Sequence, residues 1–318
     1  MKSVVLLFFA VLLAACSDNS DVSQLFEVDN PTTQPIQLQI DDQHYEIPQQ
    51  SSVEVTLPAG RHTLTYQGDT VSFVVNPKDQ PAIINPTLTP YVLFSMIYQD
   101  DSAHKDGGPW EDIARESSLT EYVLDDGEVV QLPWKYTAGE LFFNRYDFNW
   151  HFGINEALPE IYYDYSDYDY IDTRERVKLF RWADFLDFLV EEEGLMLPEA
   201  LQPKQIYTKL SALEIQGLDA AIGSPLCSGV IEDLKIKIDE YQKLIQNQDP
   251  KQHQALMNPY AISHYSVHPD LFSQETYDTC KVSEGEKHFG SESGLWAVRK
   301  RVYEFIASQH KSSAFLVK

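Results

Sequence analysis

The chain has 318 residues, with 49 acidic side chains against 24 basic ones and a formal net charge of −25. That length is enough for two domains or one large one. The charge excludes nucleic acid and anionic membrane surfaces as partners, because both need cationic protein faces. The excess is uneven: residues 100–193 hold 24 acids and eight bases, so the middle of the chain carries most of the negative field.

Lys2, the apolar run from Val4 to Leu13 and the small residues Ala14 and Ala15 make residues 1–15 a secretory signal. The run is shorter than the roughly 20 residues needed to span a bilayer. Leu13-Ala14-Ala15-Cys16 resembles the lipobox of bacterial lipoproteins. The resemblance implies a diacylglyceryl group on the Cys16 sulfur, loss of residues 1–15 and acylation of the new N-terminus. Ser17 follows the cysteine where an inner-membrane retention signal would place aspartate. The resemblance therefore implies anchorage in the outer membrane, on its periplasmic side, with residues 16–24 as a lipidated tether. Cys227 and Cys280 are then left in an oxidising compartment, and a single disulfide between them is expected. A redox or metal pair is less suited to them, since neither lies in a Cys-x-x-Cys spacing.

From Leu25 to Asn76 apolar residues recur with a period of two. Ile36 to Ile40, Val53 to Leu57, His62 to Tyr66 and Val71 to Val75 predict short strands. Asp41-Asp42, Pro58-Ala59-Gly60 and Gln67-Gly68-Asp69 predict the turns between them. The pattern reads as an antiparallel β-sandwich over residues 25–88. Ile40-Asp41-Asp42, followed by the Pro58-Ala59-Gly60-Arg61-His62 turn, resembles the small surface β-domains called PEGA domains. That resemblance implies an accessory, non-catalytic module close to the envelope. A proline-dotted connector runs from Pro77 to Pro90, and Tyr91 to Tyr98 predicts a further strand.

Residues 89–172 read as an acidic, aromatic-rich mixed region. Val129, Leu132, Leu141-Phe142-Phe143 and Phe148-Asn149-Trp150 suggest short strands. Between Glu160 and Asp172 five tyrosines alternate with five acids, a composition foreign to a core strand because carboxylates are seldom buried unpaired. The sequence then predicts a mainly helical region over 173–318. Asp172 and Glu175 stand at capping-box spacing, and Leu179, Trp182, Leu186 and Leu189 recur at helical intervals. Phe180, Trp182, Phe185 and Phe188 read as core. A second helix is expected from Ser224-Pro225 to Ile245, and a third from Ser293 to Gln309 with Val298, Val302 and Phe305 on its buried stripe. The fold class expected is α+β: the sandwich, then a mixed domain ending in a helical bundle.

No catalytic signature is present: there is no Gly-x-Ser-x-Gly, His-Glu-x-x-His, phosphate-cradling glycine loop or Cys-x-x-Cys. No cofactor or metal is implied. His264 and His268 stand four apart with Asp270 nearby, but Pro269 disfavours the helix that would aim both imidazoles at one zinc. Asp164, Asp167 and Asp169 lack the glycine turn and terminal glutamate of a Ca²⁺ loop. The candidate binding surface is Tyr162, Tyr163, Asp164, Tyr165, Asp167, Tyr168, Asp169 and Tyr170, where aromatic area and negative charge suit a protein partner with a basic surface. Arg299-Lys300-Arg301 is read as an internal counterweight to the acidic middle. The expected function is a lipid-anchored envelope lipoprotein acting by binding. Two alternatives stay open: an envelope-polymer hydrolase using paired carboxylates, and an immunity-type protein that binds a basic toxin.

Overall fold

A computed structural model describes residues 23–78, 80–99, 118–124, 126–159, 173–191 and 295–318. It also describes short stretches at 194, 196–198, 201–203, 209–213 and 278–280, and isolated positions at 215, 217, 220, 223, 239, 242, 243 and 246. These residues form a β-rich α+β fold of stacked sheets.

The first six strands are β1 (Ser23–Asn30), β2 (Ile36–Ile40), β3 (Gln43–Ile47), β4 (Ser51–Pro58), β5 (Gly60–Tyr66) and β6 (Asp69–Val75). The period-two pattern sends Leu38, Ile40, Ile47, Leu64, Val71 and Phe73 to one face, where all are buried. Each such side chain contributes about 1.5–3 kcal/mol on leaving water. β5 and β6 are joined at Gln67-Gly68, both with positive φ (51° and 84°), the backbone that matches the twist of a tight hairpin.

Later segments complete these sheets. β7 (Ala82–Ile84), β12 (Phe142–Asn144) and β14 (Ala314–Val317) join β1 to β6 to give a four-stranded sheet, β12-β7-β1-β4, and a five-stranded sheet, β14-β6-β5-β2-β3. The two enclose one apolar core, in which Phe26, Val28, Val55 and Ile84 meet Leu38, Ile40, Leu64 and Phe73. The β1–β7 pair is parallel, so the sandwich is not purely antiparallel. β7 lies inside the expected connector; three residues buried throughout carry no alternation to betray a strand.

A third sheet, β11-β8-β13, is built from β8 (Val92–Gln99), β11 (Trp134–Tyr136) and β13 (Thr173–Phe180). One face, with Leu93, Val177 and Leu179, packs on Ile83 and Phe143 from the back of the four-stranded sheet. The other, with Val92, Phe94 and Phe180, is covered by Phe185 and Leu189 of the helix Trp182–Glu191. The hairpin of β9 (Thr120–Val123) and β10 (Val129–Leu132) adds Tyr122 and Leu132 to that cluster. The described residues thus form four sheets with a helix on the outermost, and β7 and β12 of the four-stranded sheet are covered on both faces.

Three sequence expectations need correction. Thr173–Phe180 is a strand, not the start of a helix, and Glu175 faces Ile97 across the ladder. Val177 and Leu179 alternate with Lys178 and Phe180 because this strand is buried on both sides, and Leu179 fits the two periods equally. The helix begins only at Trp182. Phe148-Asn149-Trp150 is no strand: the Asn144 side chain accepts from Asp147 N (2.9 Å) to cap a helical turn, Arg145–Phe148, which Asn149 ends with φ 51°. Nor does the chain close in a helical bundle among the described residues. The helix Leu295–Lys311 buries Val298, Val302 and Phe305, as its spacing predicts, and then gives way to β14, which pairs with β6. The apolar Ala-Phe-Leu-Val run is taken up by a sheet edge instead of a neighbouring helix. The helix expected over 224–245 lies almost wholly outside the described residues.

Candidate functional site

Asp29, Tyr91 and Arg181 meet where the third sheet covers β1. Phe26 and Val28 of β1 point into the sandwich core, so Glu27 and Asp29 point to the opposite face. On an uncovered sheet that face would be wet. Here the chain end of β13 delivers Arg181 onto it. Arg181 is 4% exposed and Asp29 0%. The guanidinium grips the carboxylate by Nη2 to Oδ1 (2.7 Å) and Nε to Oδ1 and Oδ2 (2.9 and 3.2 Å). The Tyr91 hydroxyl donates to Asp29 Oδ2 at 2.6 Å. Arg181 also donates to Asn155 Oδ1 (2.8 Å) and Asp184 Oδ2 (3.2 Å).

The network reaches outward through Asn155, whose Nδ2 donates to Ser52 Oγ (2.9 Å) and to Glu27 Oε1. Ser52 in turn donates to Glu27 Oε1 at 2.8 Å. Burial pushes the Glu27 and Asp29 carboxyls above their usual range, against the pull of their hydrogen bonds. Lys178, also nearly inaccessible, donates to the Gly153 carbonyl, and burial brings its amine down to about 8.

Two carboxyls with raised pKa, two positions apart on one strand, meet one requirement of an acid–base pair. Asp29, however, has its oxygens occupied by Arg181 and Tyr91 and is closed to solvent. What this cluster does chemically is fix the third sheet to the sandwich. A fork-shaped guanidinium and a planar carboxylate set the register of that contact as well as its energy.

A second polar knot joins Asp41 to the Pro58–His62 turn. Gly60 has φ 124°, a backbone region open to glycine, as the chain turns from β4 into β5. Buried His62 places Nδ1 2.7 Å from Asp41 Oδ2 and Nε2 2.9 Å from the Pro58 carbonyl. Asp41 Oδ1 accepts from Thr63 N at 2.9 Å. The Pro58–His62 turn and the β2–β3 turn are therefore tied to each other.

Cys280 is buried and disulfide-bonded. Cys227 and Cys16 lie outside the described residues, as do His264, His268 and Asp270. So do Tyr162, Tyr163, Asp164, Tyr165, Asp167, Tyr168, Asp169 and Tyr170. Their points of attachment are described. Pro159 is held through its carbonyl by the Tyr98 hydroxyl (2.8 Å), and Thr173 pairs with Gln99. Gln99 is also where segment 100–117 departs. Two acidic stretches are thus attached at one end of the β8–β13 pair: 100–117 with six acids and two bases, and 160–172 with five acids and no base. On the last helix, Lys300 lies 3.7 Å from Glu304, an exposed pair one turn apart.

Among the described residues, no group of three or more His, Cys, Asp or Glu side chains could hold a metal, and no helix is long and apolar enough to cross a membrane. Sequence reasoning missed Asp29, Tyr91 and Arg181. The signal for Arg181 was a cation set directly between two aromatic residues, Phe180 and Trp182.

Comparison of the chain with protein-family models, with curated proteins and with solved structures finds no match.

Proposed function

We propose that this protein is a lipid-anchored envelope lipoprotein, held through Cys16 on the periplasmic side of the outer membrane. In this reading it acts by binding a protein with a basic surface. The acidic tyrosine segment 160–172 is the contact, with segment 100–117 adding to its field. The β-sandwich and its PEGA-like turn serve as the spacer between lipid and contact.

The observation that carries this reading is the shared attachment of the two acidic segments. Eleven carboxylates tied to one sheet end raise the local negative potential and favour encounter with a cationic partner, at rates that fall with salt. Five tyrosines among them supply contact area at low conformational cost. The clamp at Asp29 and Arg181 suits such a role, because it secures the strand pair that bears both segments.

The test is capture of partners from an envelope extract by the lipidated protein at low and at high salt. One cationic protein retained at low salt and released at high salt is the expected result. The Asp164→Asn, Asp167→Asn, Asp169→Asn triple variant should lose it. Unchanged capture by the triple variant sinks the proposal.

A further inference from the structure

The outer face of the five-stranded sheet carries an open groove across β3, β2 and β5. Its lining includes Gln37, Gln39, His44, Glu46, Thr65 and Gln67. All but Gln67, which lies in the β5–β6 turn, alternate with the buried Leu38, Ile40, Ile47 and Leu64, so strand geometry aims them away from the core. The register sets them in rows. Gln39 stands opposite His44 on one side and Thr65 on the other, and Thr65 stands opposite Thr70, with the two hydroxyls 2.8 Å apart. Gln37 stands opposite Glu46 in the next row.

The chemistry of this face differs from the rest of the molecule. In a chain with 49 acids and 24 bases, six polar groove residues include a single carboxylate and neither lysine nor arginine. A phosphate or other anion finds no cation here, and one glutamate is too little to hold a basic protein. Side-chain amides and hydroxyls offer donors and acceptors together, which is what a neutral ligand bearing both requires. Gln37, His44 and Glu46 make no side-chain hydrogen bond among the described residues, so these groups face solvent with their capacity unspent. Neighbouring strands lie about 4.8 Å apart. That spacing is close to the advance of one pyranose ring along an extended glycan, so a row crossing the strands meets successive sugars in step.

We infer that this face binds a neutral, linear glycan bearing hydroxyl and acetamido groups, laid across the strands. This site is separate from the acidic segments and does not depend on the protein partner proposed above.

The probes are the hexamer of N-acetylglucosamine, measured by titration calorimetry, and purified peptidoglycan sacculi, measured by co-sedimentation, each with the whole mature chain. The expected result is hexamer binding that changes by less than about twofold between low and high salt, since no ion pair is involved. A Gln37→Ala, His44→Ala variant should bind about tenfold more weakly or worse. Its thermal midpoint should stay unchanged, because both side chains are exposed and unpartnered. The Asp164→Asn, Asp167→Asn, Asp169→Asn variant should bind the hexamer like the wild type, so failure of one proposal is told apart from failure of the other. Retention on sacculi as well identifies a peptidoglycan strand as the source; hexamer binding alone supports free glycan. No hexamer binding, binding lost at high salt, or equal affinity in the double variant overturns the inference.

Discussion

The hairpin ladders of the five-stranded sheet and the β8–β13 ladder of the three-stranded sheet reach their pairings by opposite routes. β5 and β6 are joined through Gln67-Gly68, and β2 and β3 through Asp41-Asp42, so these ladders close with almost no loop. β8 and β13 pair across everything between Gln99 and Thr173. Loop-closure entropy rises slowly with length, but non-local ladders gain their stabilising contacts late. The local sheet has a small knot at its turn, His62 to Asp41 and Pro58. The non-local sheet has a buried ionic clamp, Asp29 to Arg181 and Tyr91. Long acidic insertions are tolerable at the end of a strand pair when something else fixes that pair from beneath.

The sharpest way to break this contrast is Arg181→Ala. It leaves Asp29 buried with only Tyr91, and urea unfolding should show a loss of about 3–5 kcal/mol. Replacing both partners, Asp29→Leu with Arg181→Met, should recover most of that loss if the clamp mainly sets register. If the double variant is as unstable as the single one, the geometry of the pair is itself required. His62→Ala removes two contacts at the local knot and should cost only about 1–2 kcal/mol, without disturbing hydrogen-exchange protection in β8 and β13.

Lys178→Met gives the most specific effect, because it is read as a change with pH. The folded-state amine is held at about 8, below its usual value of 10.5. From about pH 8 to 10.5 the unfolded chain therefore binds more protons, so this group's contribution to stability rises with pH. Wild type should gain on Lys178→Met across that window in matched urea titrations, and a gap that stays constant would show that Lys178 keeps its charge.

Legibility followed the same divide. Val53-Glu54-Val55-Thr56-Leu57 and Val71-Ser72-Phe73 state their strands outright, because one face is core and the other is wet. β13 does not, because Lys178 and Leu179 are both buried, on opposite faces of one strand. A basic residue inside a two-sided strand looks like the polar face of a helix. Asp29 was equally hidden: in a surface strand it would be an ordinary solvent-facing acid, and only a partner 152 positions away makes it buried. Ala82-Ile83-Ile84 and Ala314–Val317 are too short to show any period. The acidic tyrosine segment stood out by composition alone, whereas the amide rows on the sandwich's outer face emerge only once register puts Gln39 beside His44 and Thr65.

β14 gives the fold a clock. Phe73 of β6 pairs with Leu316 of β14, so one long edge of the five-stranded sheet stays unfilled until residues 314–317 have been made. At a synthesis rate of about 5–20 residues per second, that interval lasts on the order of 10–50 s. Throughout it, β6 offers a row of open backbone groups to any passing strand. A protein built this way depends on being kept from its neighbours between its first hairpin and the arrival of β14.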